Sequence, residues 1–327
     1  MPINITRAGA ETIRRTGAFI RQWMLIFAML GGVAGYAVYA AFGIFDPVRP
    51  AVRAALPWVQ PALIFSMLFL TFVHVSPRKL RLHRWHMWLL LIQGGLFTAI
   101  GAVLVFMPHS GLRVVLEGAM LCLICPTATA GAVVTRKLGG NVEGIVTYTV
   151  LINLLAACLV PLMVPLVHPA AGVDTLTAAA KILGKVFPLL LLPLAAGIAV
   201  GHWLPSVRKV LARVPDLAFY LWAVALALAI AVTARSLWHS TVGLGTELSL
   251  VAVSLLCCLM QFRIGRRLGR PYGDPVTPGQ SMGQKNTVLA IWMGAAFFTP
   301  VTALAGGFYS LWHNIINSWQ LRRHNAG

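Results

Sequence analysis

The chain has 327 residues, of which 58% are hydrophobic and only 10% charged, and its mean hydropathy is +0.80. A water-soluble domain carries about 25% charged residues, so this composition leaves too little polar surface to coat a globule in water and points to lipid as the solvent. The formal charge of +18, from 26 Lys and Arg against 8 Asp and Glu, does not indicate nucleic acid, because the basic residues cluster between apolar runs instead of forming a contiguous stripe with interleaved aromatics.

Residues 1–22, with Arg7, Arg14, Arg15 and Arg21, read as a short basic amphipathic segment on the cytoplasmic side. The apolar run after them is long enough to span, which predicts a retained first helix and not a cleaved signal. A helix needs about 20 apolar residues to cross the hydrocarbon core. In chain order, runs of about that length predict spans at 23–45, 57–75, 85–107, 112–138, 142–167, 178–204, 217–237, 246–264, 278–298 and 301–320. With the N-terminus inside, 19 basic residues fall in cytoplasmic segments, including residues 322–327 at the C-terminus. Only Arg49, Arg53, Arg113, Lys181, Lys185 and Arg235 fall outside. That bias predicts both termini in the cytoplasm and an even number of spans. Lys285 belongs to no loop.

The expected fold class is therefore an all-α membrane protein of about ten transmembrane helices. Ten spans divide into two units of five, residues 23–169 and 170–321, and an odd number per unit makes the second insert upside down relative to the first. The least regular spans are the fourth of each unit. One carries Pro126 within Ile124-Cys125-Pro126-Thr127-Ala128-Thr129-Ala130-Gly131, and the other carries Gly283-Gln284-Lys285-Asn286-Thr287. Paired interruptions at corresponding positions are the sequence pointer to a transport site, since proline removes a helix hydrogen bond and freed backbone at membrane depth must line a cavity or meet protein partners. Thr127, Thr129, Ser281, Gln284, Asn286 and Thr287 are the polar side chains nearest the breaks; with helix N-terminal amides they are the expected substrate contacts.

The remaining motifs read more plainly. Cys122, Cys125, Cys158, Cys257 and Cys258 lie in apolar runs and read as small packed hydrophobes. Glu117 is the clearest acid inside a span, open to a proton-relay or a hydrogen-bonded structural role, while Glu143 and Asp216 read as interfacial carboxylates near helix N-termini. Asn153, His313 and Asn314 lie in other apolar spans, and His313 and Asn314 read as hydrogen-bond partners between helices. Trp85, Trp88, Trp203, Trp238 and Trp319, near span ends, read as interfacial anchors. No zinc-ligand spacing, HExxH pattern or suitably placed G-x-S-x-G elbow is present, so neither a metal, a cofactor nor an enzymatic activity is expected.

Two separated motifs resemble the bile acid:sodium symporter superfamily. Cys125-Pro126-Thr127-Ala128-Thr129-Ala130-Gly131-Ala132-Val133-Val134-Thr135, followed by Gly140-Asn141-Val142, is similar to that family's Cys-Pro-Gly-Gly-Thr-Ala-Ser-Asn-Val-Val-Thr stretch. Gly283-Gln284-Lys285-Asn286, then Phe298-Thr299-Pro300 and Phe308-Tyr309-Ser310-Leu311-Trp312-His313-Asn314, is similar to its Gly-Met-Gln-Asn, Phe-Ser-Pro and Ser-x-Trp-His-Asn. The resemblance implies ten helices in two inverted repeats, with the fourth and ninth broken and crossing. It also implies a six-helix core moving against a four-helix panel, and an organic-anion substrate usually carried with sodium.

The departures carry the sharper expectation. The family's Ser-Asn pair falls on Gly131 and Ala132, a serine in its fifth helix on Ile145, a glutamate in its ninth on Ser281, and a glutamine beside the crossing on Lys285; Thr149 and Gln93 keep the family's residue types. Sodium prefers several oxygen ligands, and a fixed ammonium where the ion would sit repels it. The expected function is a sodium-independent carrier of a small organic anion by alternating access, with Lys285 in place of the cation. Alternatives are a proton-coupled antiporter using Lys285 and a non-transporting membrane sensor with the same fold. A charged lysine at bilayer depth costs ~2.5–3.5 kcal/mol unless it meets water or a partner. Three roles therefore stay open for Lys285: a charge that binds the anion, a group that loses and regains a proton, and a structural lysine tied to helix carbonyls at the break. The compact chain suggests a bacterial inner membrane; sequence assigns neither the substrate, the direction of transport nor the oligomeric state.

Overall fold

A computed structural model describes residue 24 and residues 26–169, 172–214, 217–240 and 242–326. The basic segment 1–22 and Asp216 lie outside the described residues. Thirteen α-helices and no strand are found among the described residues. They are α1 (Ile26–Ala41), α2 (Arg49–Val73), α3 (Arg84–Phe106), α4 (Arg113–Ile124), α5 (Gly131–Lys137), α6 (Val142–Val167) and α7 (Thr175–Trp203). After them come α8 (Pro205–Ala212), α9 (Leu217–Trp238), α10 (Leu244–Gly269), α11 (Val276–Gly283), α12 (Thr287–Phe297) and α13 (Leu304–Ala326).

Each of the ten apolar runs is helical, with differences that have local causes. The second begins eight residues earlier than expected, at Arg49, and continues through Pro57 and Pro61; prolines inside a membrane helix need not end it when neighbours re-satisfy the freed groups. The eighth extends to Gly269 with Arg266 and Arg267 in its last turn, where positive charge suits the helix dipole. Residues 205–212, expected as loop, form the short helix α8. The fourth and ninth runs each split in two, into α4–α5 and α11–α12.

Among the described residues, six helical segments are long and apolar enough to cross a membrane: Gly43–Val73, Arg84–Phe106, Val142–Val167, Thr175–Trp203, Leu217–Trp238 and Leu244–Tyr272. Their outward faces are those of a protein in lipid. Trp58, Phe106, Leu176 and Trp238 are 79–85% exposed, an arrangement that costs ~25 cal/mol for every Å² of apolar surface left in water and nothing comparable in hydrocarbon. Trp88, Trp203, Trp238 and Trp319 are exposed near helix ends. Trp85 departs from that expectation. It is buried, with its ring 3.8 Å from the His86 imidazole and 6.2 Å from the Tyr148 ring, so it ties α3 to α6.

Helix ends are capped where the sequence provides a cap. Asn141 opens α6 by accepting from the Gly144 amide at 3.0 Å, and Asp174 opens α7 by accepting from the Thr177 amide at 2.9 Å. Those hydrogen bonds also hold the exposed Asp174 carboxyl below its usual range. Gly139, at φ 76°, supplies the left-handed residue that ends α5.

Packing sorts the helices into two groups. α2 lies against α7 and α9, and α1 approaches α9 through Gly32, over the backbone of Ala227. α3, α6, α10 and α13 surround the four short helices α4, α5, α11 and α12, whose inner residues are almost all buried. The α6–α7 contact joins the groups. The tightest approach is α10 on α11. A Cβ at Gly265 would overlap the Pro278 carbonyl, and one at Gly269 would overlap that of Asp274. Gly265→Ala should therefore destabilise the fold by about 1–3 kcal/mol, whereas Gly31→Ala, with open space around it, should not. Thermal unfolding of both variants in detergent checks this.

Candidate functional site

The site starts from Pro126. The residue before a proline is driven out of helical geometry, and Cys125 has φ −53° and ψ 128°, so α4 stops at Ile124. At the second break α11 stops at Gly283, Gln284 is extended at φ −85° and ψ 121°, and Asn286 caps α12 by accepting from the Leu289 amide. The two extended stretches lie side by side as an antiparallel bridge at Thr127 and Lys285. The Asn286 amide donates to the Pro126 carbonyl at 2.9 Å, and the Ala128 amide to the Gln284 carbonyl at 3.2 Å. Each break thus satisfies part of the other's freed backbone.

The carbonyls left over are met by side chains. At the end of α4, Gln261 Nε2 donates to the Cys122 carbonyl at 3.2 Å, Lys285 Nζ to that of Leu123 at 3.1 Å, and Gln93 Nε2 to that of Cys125 at 3.5 Å. The Tyr309 hydroxyl donates to the Gly283 carbonyl at 2.8 Å. Lys285 is 1% exposed. Its ammonium sits at the C-terminal end of a half-helix, where unpaired carbonyls and the dipole favour positive charge. No carboxylate pairs with it among the described residues. The backbone amide of Lys285 faces His313 Nδ1 at 3.4 Å.

The other residues singled out in the sequence fall into three sets. Thr127, Ser281, Gln284, Asn286 and Thr287 are buried at the bridge with Lys285. Thr127 Oγ1 donates to the Ser281 carbonyl at 2.6 Å, Gln284 Nε2 to Gln280 Oε1 at 2.8 Å, and the Ser281 hydroxyl has no partner among the described residues. Thr129 is only half-buried, at the start of the turn into α5. Among the positions equivalent to sodium ligands, Gly131 faces Ile145: a Cβ there would lie 3.1 Å from Ile145 Cδ1 and 3.4 Å from Thr127 Cγ2. Ala132 is partly exposed beside it. Thr149 Oγ1 donates back to the Ile145 carbonyl at 2.8 Å, and Gln93 Oε1 is taken by the Tyr148 hydroxyl at 2.8 Å. Ile145 Cδ1 and Thr127 Cγ2 thus lie beside Gly131, and the Thr149 and Gln93 oxygens each take part in one hydrogen bond.

Glu117 is not brought to the bridge. It lies six residues before Leu123, about 9 Å along the helix, and is fixed by other partners. Arg113 Nε is 3.0 Å and His168 Nε2 2.7 Å from Oε1, and Thr302 Oγ1 donates to Oε2 at 3.0 Å. Arg113 also donates to the Val167 carbonyl. This cluster ties the start of α4 to the end of α6 and to the turn before α13. Beside it a pocket of about 220 Å³ is lined by residues that include His168, Lys181, Lys185 and Phe297.

Gln261, Gln280, Tyr148 and Tyr309 belong to the site but were not selected from the sequence. The available signal was an amide or phenol within an apolar run. It names a residue with a buried polar group to satisfy, not the carbonyl that satisfies it.

The sequence model of the SBF-like CPA transporter family matches residues 33–315. The chain belongs to this family, within the bile acid:sodium symporter superfamily. No curated protein matches it. Family and helices together identify an integral membrane protein of a transporter family.

The Glu117 cluster generates a prediction independent of transport. Glu117→Gln removes the charge shared by Arg113 and His168 and should lower stability by about 1–3 kcal/mol, with a smaller loss for Thr302→Val. Thermal unfolding of the two variants, read by tryptophan fluorescence, checks the order.

Proposed function

We propose that the protein carries a small organic anion across the membrane by alternating access, independently of sodium, with Lys285 holding the place of the mobile cation. The observation that carries this reading is the position of the Lys285 ammonium, buried on the Leu123 carbonyl at a half-helix C-terminus. Half-helix C-termini and unwound carbonyls hold coupling cations in broken-helix carriers, and a tethered ammonium meets the same electrostatic need without leaving. The contact between Gly131 and Ile145 supports it further, because carbon replaces oxygen where an ion would need ligands. The bridge residues Thr127, Ser281, Gln284, Asn286 and Thr287 are the proposed anion contacts, with the free Ser281 hydroxyl the one still without a partner.

The architecture proposed with this function is ten spans in two inverted units, residues 23–169 and 170–321, with both termini cytoplasmic in a bacterial inner membrane. The packing of α2 against α7 and α9 is in keeping with a four-helix panel of α1, α2, α7 and α9, which meets the remaining helices through α7 on α6 and α9 on α12 and α13. A second reading has one observation in its favour. A buried lysine with a neutral carbonyl as partner and no paired carboxylate has little to hold its proton, which fits a proton-coupled antiporter.

Uptake into liposomes reconstituted with the protein tests both readings. With sodium replaced by potassium, uptake of the carried anion should stay within about twofold, since no mobile sodium completes the site; abolition of uptake would overturn sodium independence. Lys285→Ala should lower uptake at least tenfold, the effect of losing about 1.4 kcal/mol of interaction, while the protein stays folded by circular dichroism. Unchanged uptake would leave Lys285 a purely structural role. Acceleration by an imposed pH gradient in the wild type, absent in Lys285→Ala, would favour the antiporter.

A further inference from the structure

A second pocket, of about 250 Å³, lies where the ends of α5, α10 and α13 meet the start of α11. It is lined by Leu138, Val276, Trp319, Gln320, Arg266, Arg323 and His324, and holds no carboxylate. No residue of the bridge lines it. Basic residues at a cytoplasmic membrane surface are ordinary, but three features here are not. First, Arg323 and Arg270 act on Arg266 as like charges, and neither Arg266 nor Arg323 has an acidic partner among the described residues. Second, the Arg323 guanidinium is held 5.6 Å over the Trp319 ring, which limits its freedom before any ligand arrives. Third, Gln320 is 5% exposed and lines the pocket. Its Oε1 is taken by Gln280 Nε2 at 2.6 Å, and Gln280 Oε1 is taken in turn by Gln284 Nε2 at 2.8 Å. That chain leaves the Gln320 amide NH₂ as the group free to face the pocket.

We propose that this pocket binds a phosphate group, held by the Arg266 and Arg323 guanidiniums and the Gln320 amide, with His324 at the rim. Guanidiniums bind phosphate oxygens in a bidentate fork. A phosphate monoester carries about −1.5 to −2 charges near pH 7, which matches the two guanidinium charges. The volume falls below the ~300–1,000 Å³ of pockets that enclose drug-sized ligands, so a head group fits and a whole large ligand does not. The phosphate belongs either to a soluble molecule or to an anionic lipid whose tails stay in the bilayer. The site is separate from the bridge and does not depend on what the protein carries.

The test uses the full chain and reads binding, not transport. In neutral detergent, inorganic phosphate should raise the melting temperature in a saturable way that chloride at equal ionic strength does not reproduce. Arg266→Gln/Arg323→Gln should need at least tenfold more phosphate for the same shift. In nanodiscs, a lipid occupant should stabilise the protein when phosphatidic acid is added to phosphatidylcholine, and the double variant should lose that difference. A response to free phosphate assigns a soluble source, and a response to phosphatidic acid alone assigns the lipid. Lys285→Ala should keep the response. Arg266→Lys/Arg323→Lys, which preserves charge but not the fork, should bind at least threefold more weakly and carries the test should the glutamine pair not fold. Absence of a response to either probe, a response unchanged in the folded double variants, or its loss in Lys285→Ala would overturn the proposal.

Discussion

Two helices that stop halfway leave carbonyls and amides without intrahelical partners, and hydrocarbon offers them none. The centre of this protein is arranged around that constraint. Pro126 ends α4 and Asn286 starts α12, and the extended residues between the half-helices pair with each other through two backbone hydrogen bonds. Pairing settles only part of the need. Gln93, Gln261, Lys285 and Tyr309, drawn from α3, α10, the second break and α13, each donate to one of the remaining carbonyls. The surrounding helices are therefore fixed to the broken ones by polar contacts as well as by packing.

Of those four donors Lys285 is the one that carries charge, and its place explains why a lysine is tolerated there. An isolated ammonium at bilayer depth is costly. Here it replaces a missing amide at the negative end of a helix dipole. Under the proposed function, the carbonyl that holds the side chain would also set where the Lys285 amine lies. Beside the bridge, Gly131 faces the Ile145 side chain.

Charge elsewhere is placed away from this centre. Glu117 is the buried carboxylate of α4, and Arg113, His168 and Thr302 take up its oxygens. It locks the far ends of α4 and α6 to the turn before α13, and among the described residues no carboxylate pairs with Lys285. The arginines at the other end of α10 and α13 gather around a pocket with no acid in its lining.

Much of this was legible in the chain itself. Apolar runs of spanning length marked every long helix, Pro126 marked the first break because a proline acts on its immediate neighbour, and Lys285 stood out as a cation outside any loop. The motifs around the breaks placed the chain in its family. These are local or periodic properties, and a linear sequence states them directly. Tertiary structure alone decided which carbonyl Lys285 takes, that Gly131 meets Ile145, that Glu117 belongs to Arg113 and His168, and that Trp85 is buried and not interfacial. Apart from the i,i+4 pair of Arg113 and Glu117 within α4, these are meetings of residues on different helices, and the rotation of a helix about its axis follows from packing against its neighbours, which no single run of sequence specifies.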